Sequence, residues 1–324
     1  MRLAVYTILC KISQRREEIL QWYNLPHCSE YPCMFSPNQN KLYTLAQKYG
    51  FTYIDGDTDS AIRAFLDTSG HSLKRRTRRN FWHQLNLASS IRKARSASRT
   101  SDEAISRLYD QEYGGGNAQY GYTSAILTPE GFELITGLKL EQPSNVHIID
   151  VGAGSNEFLR FCKDTLRVPS SQLHGIDVSS ASRDIIISDG FTGHLGRLEE
   201  LNLSQEMFDI AYLSYFIDYD TNQAATFNAT IDLIKPGGRI VLEGLFPVRP
   251  FALLENITET FSFITRGVTV EEDIVLVMES FIQLGKAKGR NVRLEKVVKT
   301  HRFVHSHYGF RRLPSHFLTF SVSE

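Results

Sequence analysis

NVHIIDVGAGSNEFLRF, residues 145–161, decides the fold. Its first half, NVHIIDV (145–151), is a nearly continuous apolar run, as expected of a parallel strand covered on both faces. The second half, from about Asn156, has helical character and predicts a helix to about Leu166. Between them lie Gly152, Ala153 and Gly154, where small residues let a ligand approach backbone N–H groups at a helix N-terminus. Asp150 stands at the strand end. A second acid, Asp177, ends the next apolar run, LHGIDV (173–178), and falls 23 residues beyond Gly154. An acid at that place can accept two hydrogen bonds from a ribose diol. A nicotinamide site would prefer a third glycine where this chain has Glu157, which argues against a dinucleotide cofactor.

Working outward, the same alternation continues. A short helix is expected near 180–188, a weak strand at 191–195 and a strand at 208–215 (FDIAYLSY). A helix at 221–234 follows, then a KPGG turn and a strand at 239–244 (RIVLEG). A helix near 269–284 precedes two final strands, near 292–300 and 315–323. Strands alternating with helices and closing on a hairpin predict an α/β fold. It is a doubly wound, seven-stranded, mostly parallel sheet with an antiparallel edge hairpin. Upstream, a strand at 3–9, a helix at 12–23, a helix ending at Gly50 and a strand at 51–54 form a small N-terminal α/β region. Polar helical sequence follows to about 108. The expected organisation is an N-terminal accessory region, 1–100, and a main domain with a lid segment, 101–324.

IIDVGAGSNEFL, GIDVS, GRLEELNLSQEMFDIAYLSYFIDY and IDLIKPGGRIVLEG together resemble the class I S-adenosylmethionine-dependent methyltransferases over roughly 105–324. The resemblance implies S-adenosylmethionine as cofactor and a set of residues to hold it. Asp150, Gly152, Ala153 and Gly154 would line its methionine part. Asp177 and Val178 would hold the ribose. Leu198 and Glu199 would serve the adenine, since the family often carries an acid where this chain has Arg197. Ser214 and Tyr215 would lie at the end of the fourth strand. YDQEYGGGNAQYGY (109–122) is similar to a lid segment, so Tyr113 is a cofactor candidate and Tyr120 a catalytic one.

Transfer from an activated sulfonium needs alignment, exclusion of water and, where the acceptor carries one, removal of a proton. Glu243 ends the fifth strand and is placed to face an acceptor. His305 and His307 are the candidate bases, because a histidine titrates near neutrality; they fall in an expected turn within VVKTHRFVHSHYGF. No acidic trio accompanies them, and no metal is expected. His27, Cys28 and Cys33 lack the second close pair of a zinc site.

The 324 residues are 42% hydrophobic, enough to bury a large core and to exclude global disorder. Four cysteines make no disulfide framework. The net charge is zero, which argues against a globally basic nucleic-acid binder. Yet residues 1–100 hold 16 Lys and Arg against 7 Asp and Glu, and the remainder 20 against 29. The basic part peaks at KRRTRRN (74–80) and at Arg92, Lys93, Arg95 and Arg99. The aromatic lid and the balanced charge point to a small organic acceptor, with O, N or C as nucleophile, such as a natural-product intermediate. The alternatives are RNA methylation through the 74–99 patch and non-catalytic cofactor binding. The N-terminal addition reads as shaping the substrate pocket or making a homodimer. No apolar run reaches 18 residues, and the start lacks a signal-peptide pattern, so no membrane association and a cytoplasmic location are expected.

Overall fold

Strand β3 (Ile148–Val151) is buried at all four residues, and the structure is built around it. The computed structural model describes residues 39–55, 121–139, 145–214, 223–244, 270–306 and 309–324. All fall within one unit, Pro37–Glu324. The other strands are β1 (Thr52–Asp55), β2 (Gly121–Thr123), β4 (Leu173–Asp177), β5 (Thr192–Leu195), β6 (Phe208–Ser214), β7 (Ile234–Gly244), β8 (Asn291–Ser306) and β9 (Gly309–Ser323). The helices are α1 (Gln39–Tyr49), α2 (Pro129–Thr136), α3 (Glu157–Asp164), α4 (Ser180–Ser188), α5 (Gln223–Leu233) and α6 (Val270–Ala287).

The sheet runs β1-β8-β9-β7-β6-β3-β4-β5. β3 to β7 pair in parallel, and β9 is antiparallel to both β7 and β8. Seven strands thus form the expected doubly wound sheet with its reversed hairpin. Two short strands add to it on the outer edge of β8: β1 runs parallel beside residues 296–299, and β2 antiparallel beside 303–305. Residues 39–55, read in the sequence as part of an accessory region, therefore supply a helix and a strand to the main sheet. The expected division at 100/101 lies outside the described residues, as do the strand at 3–9 and the helix at 12–23.

Side chains on a strand alternate between faces, so each strand feeds two cores. On one face Ile148, Leu173, Ile210, Val241 and Phe317 pack under α2, α3 and α4. On the other, Ile149, Val151, Leu213, Leu242 and Phe320 pack under α1, α5 and α6. β4 carries Gly175 at its centre for a steric reason. A Cβ there would lie 2.8 Å from Ile186 of α4 and 3.1 Å from Leu159 of α3. Glycine lets both helices sit down on the strand.

Two boundaries differ from the expectation. β7 is assigned from Ile234, because Ile234 pairs with Phe208 and Arg239 with Ile210, while residues 235–238 of the KPGG turn loop out between them. The final hairpin is longer. β8 continues through His301 and His305 to Ser306, where a turn was expected, and β9 resumes at Gly309. The physical reason is β2, which gives residues 303–305 hydrogen-bonding partners on their second edge.

Candidate functional site at the carboxyl ends of the strands

β3 ends in a turn whose backbone φ is left-handed at every second residue: Gly152 at 75°, Gly154 at 56° and Asn156 at 72°. Such alternation curls the chain and gathers its N–H groups on one side. The Gly152 and Ala153 N–H groups both donate to the Ile176 carbonyl on β4, at 2.8 and 3.0 Å. The Gly154 N–H donates to Asp177 Oδ2 at 2.9 Å. The other oxygen of Asp177 accepts from the Ser179 N–H at 2.8 Å, and the Asp177 carbonyl accepts from Gly196 at 3.0 Å. Ser182 Oγ closes the ring by donating to the Gly154 carbonyl at 2.7 Å. Asp177 thus joins the turns after β3, β4 and β5.

Three of these partners, Ser179, Ser182 and Asn156, were not among the sequence candidates. Ser179 and Ser182 carried a signal, because Ser179 caps α4 by accepting from the Ser182 N–H. Asn156 gave none, since its role depends on a φ value.

Asp150 is buried at the end of β3, on the face that α3 covers. Burial pushes the Cys162 thiol of α3 well up, and the nearby Asp150 charge pushes it further. In register beside Asp150 is Tyr212 of β6; Glu243 of β7 pairs with Ser214, two residues further along β6. The fully buried Glu243 carboxylate accepts a short hydrogen bond from the Tyr212 hydroxyl, and another from Ser315 Oγ at 2.8 Å. Tyr212 and Ser315 were also missed in the sequence. A tyrosine inside a buried strand does need a partner for its hydroxyl, which was the available hint.

The structure therefore brings Asp150, Gly152, Ala153, Gly154, Asp177 and Val178 together around the ends of β3 and β4. Ser214 and Glu243, paired in register, stand at the same ends of β6 and β7. Leu198 follows Gly196 in a 3-10 turn, with its side chain in the core. Glu199 turns to α5, where it accepts from Thr226 Oγ1 at 3.1 Å, and it lies 3.7 Å from Arg197. His305 sits on β8, opposite Gly121 of β2 and Phe310 of β9. Tyr113, Tyr120, Tyr215 and His307 lie outside the described residues. Among the described residues no group of three His, Cys, Asp or Glu could hold a metal ion, and no helix is long and apolar enough to cross a membrane.

Residues 149–242 match the family model of a methyltransferase domain. No curated protein matches the chain. Among solved structures, an S-adenosylmethionine-dependent methyltransferase from Mesorhizobium loti is 25% identical over 37% of this chain and 55% of its own, with a TM-score of 0.31. The chain thus spans about half the length of that relative. One from Methanosarcina mazei is 12% identical over 55% of this chain and 92% of its own, with a TM-score of 0.40. Another, from Aquifex aeolicus, is 12% identical over 62% and 92%, with a TM-score of 0.40. Likenesses this distant carry no argument about an acceptor.

The matched methyltransferase segment, 149–242, spans the glycine turn and the parallel strands from β3 into β7. That match points to methyl transfer, with S-adenosylmethionine as the implied cofactor. The residues present fit the cofactor. Positions 152 and 154 offer backbone without side chains. Ser124 Oγ is buried with no hydrogen-bond partner among the described residues. Asp177 accepts from the Gly154 and Ser179 N–H groups at the end of β4.

Proposed function

We propose that the chain methylates a small organic acceptor at an oxygen, nitrogen or carbon nucleophile, of the kind found among natural-product intermediates. One observation carries the cofactor part of this reading: the Asp177 carboxylate, at the carboxyl end of β4, fastens the glycine turn in place. In open α/β sheets ligands bind outside the carboxyl ends of the strands. When bound, the cofactor supplies a methyl group already activated on a sulfonium.

In this reading Asp177 and Val178 hold the ribose, and the turn from Gly152 to Gly154, with Asp150 behind it, holds the methionine part. The Leu198–Glu199 turn, with Ser214 and Tyr215, borders the adenine side. Tyr113 folds over the cofactor from the lid. The acceptor enters at the ends of β6 and β7, beside Glu243. With the cofactor bound, the acceptor's electron pair would form the new bond to the methyl carbon while the carbon–sulfur bond breaks and S-adenosylhomocysteine leaves. An O–H or N–H acceptor then gives its proton to His305, His307 or Tyr120. Tyr212 and Ser315 hold Glu243 in one orientation at the ends of these strands.

The test is transfer of tritiated methyl from S-adenosylmethionine to phenols, amines and enolisable ketones, with total RNA as a parallel acceptor. Label in one of the small-molecule classes, and none in RNA, is expected. Label confined to RNA would overturn the acceptor class and leave the cofactor site standing.

A further inference from the structure

Gly152 and Gly154 take positive φ at no steric cost, but Asn156 has a Cβ and does not. Asparagine tolerates the left-handed region better than most residues, yet the conformation still needs support. The support is visible. Asn156 is fully buried, and its Nδ2 donates to Asp189 Oδ2 at 3.0 Å. Asp189 lies across β4 from the turn, at the C-terminal cap of α4, where its N–H bonds the Ile185 carbonyl. Arg160 of α3 donates to the same oxygen at 2.7 Å, and Lys163 to the Asp189 carbonyl at 3.3 Å. The α4 terminus therefore grips both the last residue of the glycine turn and the first turns of α3. None of the sequence motifs pointed to Asp189.

We infer that Asp189 is a positioning residue for the cofactor turn. It acts through Asn156: by holding that residue left-handed, it keeps the Gly154–Asp177 contact and the N-terminus of α3 in place at the cofactor turn. The inference rests on the glycine turn being the cofactor site.

The experiment is calorimetric titration of the whole chain with S-adenosylhomocysteine. The proteins are wild type, Asp189→Ala, Asn156→Gly and the double variant, with thermal melts of the ligand-free proteins alongside. Asp189→Ala is expected to weaken binding about tenfold, the scale of one lost hydrogen bond to a charged group. Asn156→Gly should stay within about threefold of wild type, because glycine holds the left-handed turn unaided. In that background Asp189→Ala should weaken binding no further. The melts give the contrast. Arg160 loses its partner in both backgrounds, so stability falls in both while affinity falls in one.

Should Asp189→Ala fail to fold, the isosteric exchange carries the test. Asn156→Asp sets two carboxylates against each other and should weaken binding. Combining it with Asp189→Asn restores one donor and one acceptor, and should recover the affinity. Equal losses in both backgrounds, or no loss at all, would overturn the inference. A folded wild type that binds no S-adenosylhomocysteine would instead defeat the cofactor reading beneath it.

Discussion

Asp177 fastens the chain, and in the proposed site it also faces the ligand. Both of its oxygens already accept backbone N–H bonds, from Gly154 and Ser179. Asp177→Ala removes these together with the ribose contact proposed above. Hydrogen bonds to charged groups are worth about 1.5–3 kcal/mol each, so affinity for S-adenosylhomocysteine should fall by about a hundredfold or more. Asp177→Asn keeps one acceptor oxygen and should fall between the two in the same titration. Tyr212 makes a prediction independent of any ligand. Its hydroxyl donates to the buried Glu243 carboxylate, so Tyr212→Phe leaves that charge short of a donor. Urea unfolding should show a loss of about 1–3 kcal/mol; a loss below about 0.5 kcal/mol, the range of a neutral surface change, would contradict the contact. At this scale the sequence was legible where chemistry follows chain order. Asp150, Gly154 and Asp177 stand at strand ends that an apolar run marks. It was silent on Ser315, which reaches Glu243 only because β9 pairs with β7 in one particular register.

Among the elements, β4 and β5 carry a histidine pair remote from the glycine turn. His174 Nδ1 lies 3.1 Å from His194 Nε2, and the rings stack with Phe208 edge-on to His174. Burial, then His194, then His147, lowers His174 to about 4 from its ordinary 6.5, and burial lowers His194 as well. The unfolded chain takes up these protons near pH 6.5, and the folded chain resists them. Between pH 6.5 and about 4 the unfolded state therefore binds more protons, and stability falls as pH falls. The slope is at most about 1.4 kcal/mol per pH unit for each histidine. Urea midpoints should be flat above pH 7 and decline below 6.5, and His174→Gln should remove part of that decline. An unchanged slope in the variant would contradict the pairing. Element boundaries were mostly legible, because α3, α4 and β4 to β6 follow the helical and apolar periodicities. β8 was read as ending near residue 300. Its continuation depends on β2, a three-residue strand drawn from a distant glycine-rich stretch, and no local pattern announces such a partner.

For the whole molecule, the resemblance of residues 105–324 and the strand order agree, and the matched methyltransferase segment, 149–242, lies at the centre of both. The far edge was not legible. The sequence grouped residues 39–55 with the first hundred and left open whether they pack on the core; β1 extends the main sheet beside β8, with Asp55 paired to Lys299 at 3.2 Å. An α–β piece with its own local signals looks the same in sequence whether it stands alone or docks on an edge. A ligand that binds only the folded state stabilises the whole chain by mass action. At a hundred times its dissociation constant, S-adenosylhomocysteine should add about 2.7 kcal/mol and raise the melting temperature accordingly. The most direct test of the central claim is calorimetric titration of the purified chain with S-adenosylmethionine and S-adenosylhomocysteine, beside Asp177→Ala. Saturable binding of both by the wild type, lost or weakened by about a hundredfold in the variant, is the predicted result. A folded wild type that gives no binding heat, or a variant that binds as tightly as the wild type, would contradict it.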